Sequence, residues 1–518
     1  MLGPLDLVVL GAYLAVILGV GLWSGRHQTG TESYFLANRS LPFWAAGLSI
    51  VATETSALTF IGAPVQSLRG DWTYLQLAIG SSLARVLVAV VLIGVYYRHR
   101  VTTVYDFLHD RFGPISRSLA TALFFTGRLL GSGVRLYGAS IALVIVAGID
   151  FPLAIALISA VAVAYTLAGG LRAVVFTDVL QGALLLTGGL AALIALVAAS
   201  DQTVAELWTQ LNASTTEAGT GKLRVIDLSL DPRVAYTLAA GLVGSTLLTL
   251  STHGTDQDMI QRALGCRDAK ESRRSMILSG LLSLPIALMF LAIGSLLWLV
   301  LGGDGGSADL AASIAADHSL ASIDKAYDFL FPVYILTTLP TGLKGLIVAA
   351  IFATAMSSLD SAISALSTTA VANVWRPLVG AGPDDASALR MARVFAILFG
   401  IALVGVALVV WATEGAGGER QGFGILMLGL KVLSWIFPPL LGLFLVGVLT
   451  DRGNDRGNAL AVTVGLGTVL VLELWPQLTG YAAPLAWTWY PVVGCGLCFG
   501  LASLFRGGGR SAVTSPGR

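Results

Sequence analysis

Long apolar segments recur along this chain and restrict it to a narrow set of folds. A helix needs about 20 mostly apolar residues to cross a bilayer, and thirteen runs reach that length. They lie near residues 5–24, 42–66, 73–97, 117–146, 151–168, 171–198, 234–252, 276–301, 342–374, 389–412, 422–449, 457–476 and 484–506. The sequence therefore predicts an all-α integral membrane protein with about 13 transmembrane helices, embedded in a lipid bilayer.

The composition supports a membrane protein and argues against other classes. Charged residues make up 12% of the 518 residues and hydrophobic residues 55%, whereas soluble domains are about a quarter charged. The net charge of +1 gives no indication of a nucleic-acid partner. The five histidines lack the spacing of a metalloenzyme motif. We therefore expect neither enzyme activity nor nucleic-acid binding.

Basic residues in the loops predict the orientation in the membrane. Lys and Arg concentrate in alternate loops, which are expected to face the cytoplasm. These loops are residues 24–41, 98–116, 253–275, 375–388 and 450–457, together with the tail 506–518. An odd number of spans then places the amino terminus outside and the carboxyl terminus in the cytoplasm, in the inner (plasma) membrane of the cell. No clear cleavage site follows the first run, so it is predicted to be a retained helix.

The segment 350–368 carries seven hydroxyl side chains and the carboxylate of Asp360 inside an apolar run. An ionisable group in hydrocarbon costs roughly 2.5–3.5 kcal/mol on insertion scales, so it is expected to face a cavity and bind a ligand. Crowded hard oxygens suit a small hard cation. Helical spacing places Ser357, Asp360, Ser361 and Ser364 in one polar stripe. The segment therefore predicts an ion site within the membrane.

Two other apolar runs are interrupted by polar residues. Within 45–65, residues 52–59 contain four hydroxyls and Glu54, followed by a glycine and a proline. The run 234–252 repeats this pattern of glycines and hydroxyls. Two broken helices about five spans apart indicate an inverted-repeat transporter with its site at the membrane midplane. The alternative is that these hydroxyls bond back to their own helix or pack between helices.

A carboxylate also lies inside the run that follows a Gly-Gly turn at residues 169–170. Asp178 is about two helical turns into this run. A carboxylate at that depth is expected to be a cation ligand, a proton carrier or the ion-pair partner of Arg128 or Arg135. The residues alone leave these three roles open.

Four motifs together resemble the sodium:solute symporter family over about residues 33–450. Residues 169–181 read Gly-Gly-Leu-Arg-Ala-Val-Val-Phe-Thr-Asp-Val-Leu-Gln, which is nearly a family signature. The other motifs are 33–40 (Ser-Tyr-Phe-Leu-Ala-Asn-Arg-Ser), 257–262 (Gln-Asp-Met-Ile-Gln-Arg) and 356–358 (Met-Ser-Ser). The resemblance implies the LeuT-type fold, in which ten core helices form two inverted five-helix repeats, with one extra helix before them and two after.

On this resemblance the chain divides into six parts. They are an extra N-terminal transmembrane helix (1–32), the first repeat (33–200), an extracellular loop (201–233), the second repeat (234–413), the last core helix region with the C-terminal extra helices (414–506), and a cytoplasmic tail (507–518). The tail is rich in Gly and Ser and has too few apolar residues to form a core, so it is predicted to be disordered.

The resemblance also implies sites for cations. The sodium site shared by the family falls by motif on carbonyl and hydroxyl oxygens of Ala52, Thr55, Thr354, Ser357 and Ser358. A second cation site, found in some members, falls on Asp178, Ser357, Asp360 and Ser361. Serine is more usual at position 360, so Asp360 adds a charge for a second sodium, a proton or an arginine. Glu54 is a further intramembrane charge where many relatives are neutral.

The solute is expected to be a small organic molecule. In the sialic acid branch of the family, the residues that bind the carboxylate match Ser56, Thr59 and Arg128, and Arg135 is an additional charge further along. An arginine that faces the cavity would favour a carboxylate solute. The alternative is that each arginine extends to an interface or pairs with an intramembrane carboxylate. Those carboxylates are Asp178, Asp360 and Glu54.

These observations predict a sodium-coupled secondary active symporter that imports its solute by alternating access, with Na⁺ as the coupling ion. Candidate solutes are carboxylates, such as a sialic acid or a monocarboxylate, and sugars. A proton-coupled symporter that uses the intramembrane carboxylates is the alternative.

Overall fold

The computed structural model describes residues 2–25, 30–317, 323–380, 385–415 and 424–507. Apart from two isolated β-bridges, the regular structure in these ranges is helical. The predicted tail lies outside the described residues except for Gly507. The helices of the first half are α1 (Pro4–Gly25), α2 (Thr31–Leu36), α3 (Phe43–Glu54), α4 (Ala57–Arg69), α5 (Leu75–His99), α6 (Val104–Arg111), α7 (Pro114–Ala147), α8 (Phe151–Ala199) and α9 (Val204–Ala213). Those of the second half are α10 (Thr246–Gly254), α11 (Gln257–Leu264), α12 (Ala269–Val300), α13 (Gly303–Asp317), α14 (Ile323–Thr338), α15 (Leu343–Val379), α16 (Asp385–Gly415), α17 (Ile425–Leu449), α18 (Asp455–Thr479) and α19 (Tyr490–Leu504).

Most of the predicted spans coincide with long apolar helices. Among the described residues, ten helices have the length and apolar composition to cross a membrane, and the bent pair of α3 and α4 is an eleventh candidate. The predicted span near 151–168 corresponds to a shorter apolar helix, Phe151–Leu167, at the start of α8. The predicted span near 234–252 corresponds to the short helix α10 and the π-helical segment Ala240–Ser245 before it. The prediction of an all-α membrane protein is confirmed.

The first predicted interruption is present as a sharp break between α3 and α4. The two helices are bent by 62° relative to each other. At the break, Ser56 has an extended backbone with ψ of 177°, and its N–H donates to the Glu54 carbonyl at 2.9 Å. An unbroken helix would direct that N–H to the carbonyl of Ala52, four residues earlier. The break therefore turns the Ala52 carbonyl away from its usual partner.

The second predicted interruption lies elsewhere than expected. The hydroxyl-rich segment 234–252 contains the π-helical turn and α10 without a break, and the chain leaves helical geometry at Thr255 and Asp256. The hydroxyls of Ser245 and Thr246 donate to carbonyls of α5, at 2.7 and 3.1 Å. These hydroxyls therefore pack two helices together, which is the alternative that the sequence left open. After the break, the side chain of Asp256 caps the short helix α11 by accepting a hydrogen bond from the N–H of Asp258.

The Gly-Gly turn appears as a bend inside α8. Gly170 has φ of 56° and ψ of −172°, a conformation that is almost restricted to glycine. The bend places Asp178 two turns further along, where α8 packs against α15 and α3. These three helices carry most of the polar residues selected from the sequence, so their packing creates the polar interior.

The helix that carries the hydroxyl-rich segment is capped from another part of the chain. The Asp6 side chain in α1 is buried and accepts hydrogen bonds from the backbone N–H groups of Gly342 and Gly345, at 2.7 and 2.8 Å. Backbone N–H groups at a helix start have no intrahelical partner and favour a carboxylate. Asp6 therefore fixes the beginning of α15.

We expect Asp6→Ala to destabilise the protein by about 1–2 kcal/mol, the cost of removing a helix cap. The measurement is the apparent melting temperature of the purified protein in detergent. Asp309→Ala, which removes an exposed carboxylate from α13, is the matched control. Equal melting temperatures for the two variants would contradict the proposed role of Asp6.

Candidate functional site

The carboxylate of Asp178 joins four helices in the polar interior. One oxygen accepts from the hydroxyl of Ser357 in α15 at 2.5 Å. The other accepts from Ser49 in α3 at 2.5 Å and from Thr53 at 3.4 Å. The guanidinium of Arg262 in α11 lies 3.3 Å from that second oxygen. A buried carboxylate is stable only when it is hydrogen-bonded or paired, and Asp178 is both.

Arg262 enters this cluster from the short helix α11. Its Nε donates to the hydroxyl of Ser49 at 2.7 Å, and one Nη donates to Ser361. The other Nη pairs with the carboxylate of Asp258 at 3.2 Å. The side chain is 1% exposed, so the charge is entirely enclosed by α3, α8, α11 and α15.

Within the described ranges, the hydrogen-bond partners of the Asp360 carboxylate are hydroxyls. This carboxylate accepts from the Tyr165 hydroxyl at 2.8 Å and from Ser361 at 3.1 Å. No cationic nitrogen of the described residues lies within ion-pairing distance of it. The structure thus brings together all four candidates for the second cation site. The Ser357 hydroxyl donates to Asp178, and the Ser361 hydroxyl donates to Asp360. Thr53 of α3 connects the two pairs, because it contacts Ser361 at 3.2 Å and also donates to Asp178.

The candidates for the shared sodium site also lie together, at the break after α3. The Ser358 hydroxyl donates to the carbonyl of Thr53 at 3.2 Å and to that of Thr354 at 3.1 Å. Ala52 in α3 and Thr55 directly after the end of α3 flank this contact, and all five candidate residues are buried. Ser357 directs its hydroxyl to Asp178 instead. The arrangement concentrates carbonyl and hydroxyl oxygens, which are suitable ligands for a small hard cation.

A cavity borders the same break. Six of its wall residues carry polar groups and are either site candidates from the sequence or part of the break. They are Glu54, Thr55, Ser56, Thr59, Arg128 and Arg135. The rest of the wall combines further hydroxyl side chains and His253 with apolar and aromatic side chains, including Leu58, Tyr74, Leu248, Met259 and Trp487. A mostly apolar cavity with a few convergent polar groups is typical of a small-molecule site.

The two arginines of the cavity differ in their partners. Arg128 is buried and forms ion pairs with Asp256 and with Asp258, the latter at 2.8 Å. Arg135 donates to the Thr53 carbonyl at 3.4 Å, and no carboxylate of the described residues lies within 4.0 Å of it. The intramembrane carboxylates proposed as partners from the sequence therefore pair with neither arginine.

Glu54 pairs with a different arginine. Its carboxylate contacts the guanidinium of Arg85 in α5, whose side chain is fully buried, whereas the Glu54 side chain is 30% exposed to the cavity. His253 of α10 lies 3.8 Å from the same carboxylate. The partner of Glu54, which the sequence did not indicate, is thus the buried guanidinium of Arg85.

Several site residues were missed by the sequence analysis. Ser49 is an ordinary hydroxyl in an apolar helix, and nothing in its local sequence distinguishes it. Thr53 is one of the four hydroxyls noted in residues 52–59, but the sequence did not assign it to a site. Arg262 and Asp258 belong to the motif 257–262, so their charges were visible as a signal. Their partners could not be identified, because Arg262 and Asp178 are 84 residues apart along the chain.

Comparisons with known proteins identify relatives of this chain. The model of the sodium:solute symporter family matches residues 34–465. The sodium/sialic acid symporter SiaT of Proteus mirabilis is 28% identical over 95% of this chain and 92% of its own length. The sodium/glucose cotransporter of Vibrio parahaemolyticus is 27% identical over 91% of this chain and 86% of its own length.

A solved structure extends this similarity to three dimensions. It is a Na⁺-coupled sialic acid symporter in a substrate-bound, outward-open state. It is 26% identical to this chain and superposes with a TM-score of 0.81, covering 97% of each chain.

The Glu54–Arg85 pair allows a test of the charge arrangement beside the cavity. Glu54→Gln leaves a buried guanidinium without its counter-charge, and we expect a loss of about 2–3 kcal/mol of stability. This is less than for a fully buried pair, about 3–5 kcal/mol, because Glu54 is partly exposed. The double variant Glu54→Gln/Arg85→Met should recover most of the loss in apparent melting temperature. A double variant less stable than Glu54→Gln would contradict the pairing.

Proposed function

Because the chain belongs to the sodium:solute symporter family, we propose that it is a sodium-coupled secondary active symporter that imports a small organic anion by alternating access. The observation that carries this proposal is the contact between the Ser358 hydroxyl and the Thr53 carbonyl. It joins the broken helix to the hydroxyl-rich helix beside the cavity, where a bound cation would link the two. The chain is a multi-pass membrane transporter, not an enzyme.

We further propose the LeuT-type arrangement of five plus five core helices within thirteen transmembrane helices. The ten long helices, the bent pair and the two shorter helices at Phe151–Leu167 and Thr246–Gly254 account for this number. We also propose the six parts defined from the sequence. The positive loops support an external amino terminus and a cytoplasmic carboxyl terminus in the inner membrane.

The coupling ion is proposed to bind at the α3 break. The carbonyls of Ala52, Thr55 and Thr354 and the hydroxyls of Ser357 and Ser358 would be its ligands. The break supports this assignment because it removes the Ala52 carbonyl from the α3 hydrogen-bond ladder. Sodium that binds both α3 and α15 would stabilise the cavity wall formed by residues 54–59.

A second cation is proposed at Asp178, Ser357, Asp360 and Ser361. Ser357 belongs to both proposed sites, so occupation of one site changes the ligands available at the other. The alternative of proton coupling through Glu54, Asp178 or Asp360 has no support among the relatives, which are sodium-coupled.

The proposed anionic solute follows from Arg135. Relatives with nearly the same identity carry sialic acid in one case and glucose in another, so identity does not select the solute. Arg135 lines the cavity, and its one hydrogen-bond partner in the part of the chain that the structure describes is the Thr53 carbonyl. Its fork of donors matches a carboxylate, and Ser56 and Thr59 offer hydroxyls nearby.

Coupling between the two ligands must be reciprocal. If sodium raises the affinity for the solute, the solute raises the affinity for sodium by the same factor. Each sodium entering down a membrane potential contributes roughly 2.3 kcal/mol per 100 mV. A second cation would therefore steepen accumulation of the solute.

The first experiment is uptake into sodium-free liposomes that contain the purified protein. Labelled sialic acid, monocarboxylates, sugars, amino acids and vitamins are supplied under an imposed sodium gradient, with a proton gradient as control. We expect accumulation of an anionic solute under the sodium gradient alone. Uptake driven only by protons would overturn sodium coupling.

Ser358→Ala should raise the sodium concentration for half-maximal uptake by about tenfold or more, because a contact with a charged group contributes about 1.5–3 kcal/mol. The matched control is Ser367→Ala on the same helix, whose hydroxyl donates to the Ser364 carbonyl. A sodium requirement equal to that of the control would remove Ser358 from the site.

Arg135→Gln is expected to raise the half-saturating concentration of a carboxylate solute by at least about tenfold, with the sodium requirement nearly unchanged. Arg135→Lys retains the charge but not the fork, so it should retain part of the affinity. The measurement is the initial rate of uptake at saturating sodium. Unchanged solute affinity in Arg135→Gln would indicate that the solute does not bind this arginine.

A further inference from the structure

Arg262 occupies a position that the proposed function leaves unexplained. Its guanidinium contacts two of the four candidate ligands of the second cation, Asp178 and Ser361. We propose that Arg262 is a tethered cation that competes with sodium for Asp178, and that it must leave this carboxylate before a second sodium binds there. This inference rests on the proposed sodium coupling and identifies the residue that controls the second site.

The contacts at Asp178 support direct competition. The oxygen that faces Arg262 also accepts from Ser49 and Thr53. Nε and Nη2 of Arg262 lie 3.4 and 3.3 Å from this oxygen. Its lone pairs are therefore already shared among three side chains. A sodium ion at the same oxygen would meet a like charge at close range, and like charges at such distances disfavour each other.

The buried carboxylates around Arg262 outnumber the paired guanidiniums by two, so this cluster carries an excess of negative charge that further cations could balance. Four buried carboxylates, those of Asp178, Asp256, Asp258 and Asp360, lie around two paired guanidiniums. Asp360 is the carboxylate that has only hydroxyl partners among the described residues. A cation held by Asp360 would share Ser361 with Arg262. Withdrawal of Arg262 would free both Ser361 and Asp178 for that cation.

The position of Arg262 in the fold allows such a withdrawal. Its helix, α11, has eight residues and follows the break at Thr255 and Asp256, whereas Asp178 and Ser361 belong to long helices. Arg128, which lines the solute cavity, pairs with two residues at the start of α11. A solute that displaces Arg128 would therefore also act on α11. The ion pairs form one continuous chain from the cavity through Arg128, Asp258 and Arg262 to Asp178.

The test measures equilibrium binding of ²²Na⁺ to the purified full chain in detergent, without solute. Arg262→Gln removes the charge and keeps a polar side chain, and we expect its apparent sodium affinity to rise at least about tenfold, or one more sodium to bind per chain. Arg262→Lys retains the charge and should bind sodium like the unmodified protein. Arg274→Gln, at an arginine whose side chain is 52% exposed, is the matched control.

A double variant checks where the additional sodium binding arises. The increase in sodium binding expected for Arg262→Gln should disappear in Arg262→Gln/Asp178→Asn, because it depends on the freed carboxylate of Asp178. A gain that persists in the double variant, or sodium binding that is unchanged or weaker in folded Arg262→Gln, would overturn the proposal.

A measurement on the unmodified protein avoids any dependence on the folding of the variants. Hydrogen–deuterium exchange at residues 257–264 should increase when sodium replaces potassium, because α11 releases its contact with Asp178. Unchanged exchange with sodium bound would also overturn the proposal.

A failure of the proposed role of Arg262 can be distinguished from a failure of the proposed sodium coupling. Absence of sodium binding in every variant would overturn sodium coupling itself, whereas sodium-driven uptake with unchanged binding in Arg262→Gln would overturn only the role of Arg262.

Discussion

The buried carboxylate of Asp178 is the interaction on which the polar interior depends. It binds side chains from α3, α11 and α15 while belonging to α8. Removing a carboxylate from water costs several kcal/mol unless hydrogen bonds and counter-charges replace the lost hydration. Helices that supply these partners are therefore held in one arrangement around Asp178. The break in α3 and the hydroxyls of α15 become parts of one site because both elements contact this group.

The distribution of charge in the interior separates groups that are paired within the protein from groups that have no charged partner in the described residues. Glu54 with Arg85, and Arg128 with Asp256 and Asp258, are paired within the protein. Asp360 and Arg135 have no charged partner among the described residues. One unpaired carboxylate beside hydroxyls and one unpaired guanidinium beside the cavity are suited to a cation and an anion from outside. This separation is the physical basis for proposing symport of sodium with an anionic solute.

Particular residues explain how far sequence reasoning could reach. The break at residues 55–56 was predictable because a carboxylate and four hydroxyls within eight residues cannot be accommodated in lipid-facing helix. The location of Asp360 and the serines of α15 in a polar interior was predictable for the same reason. The second break was placed wrongly, because hydroxyls that satisfy the carbonyls of a neighbouring helix, such as Ser245 and Thr246, resemble hydroxyls that line a break. Local sequence does not distinguish the two cases.

The sequence by itself determined the membrane class, the positions of most helices and the groups that require a partner, since hydrophobicity and the cost of buried charge act locally. Only the tertiary structure decided which groups meet. It paired Glu54 with Arg85 and Arg128 with the start of α11, and it placed Arg262 at Asp178. Ion pairs between residues far apart in the chain depend on how helices pack, and any of several buried arginines could satisfy a given carboxylate equally well. The choice among them is made by the geometry of the assembled helices.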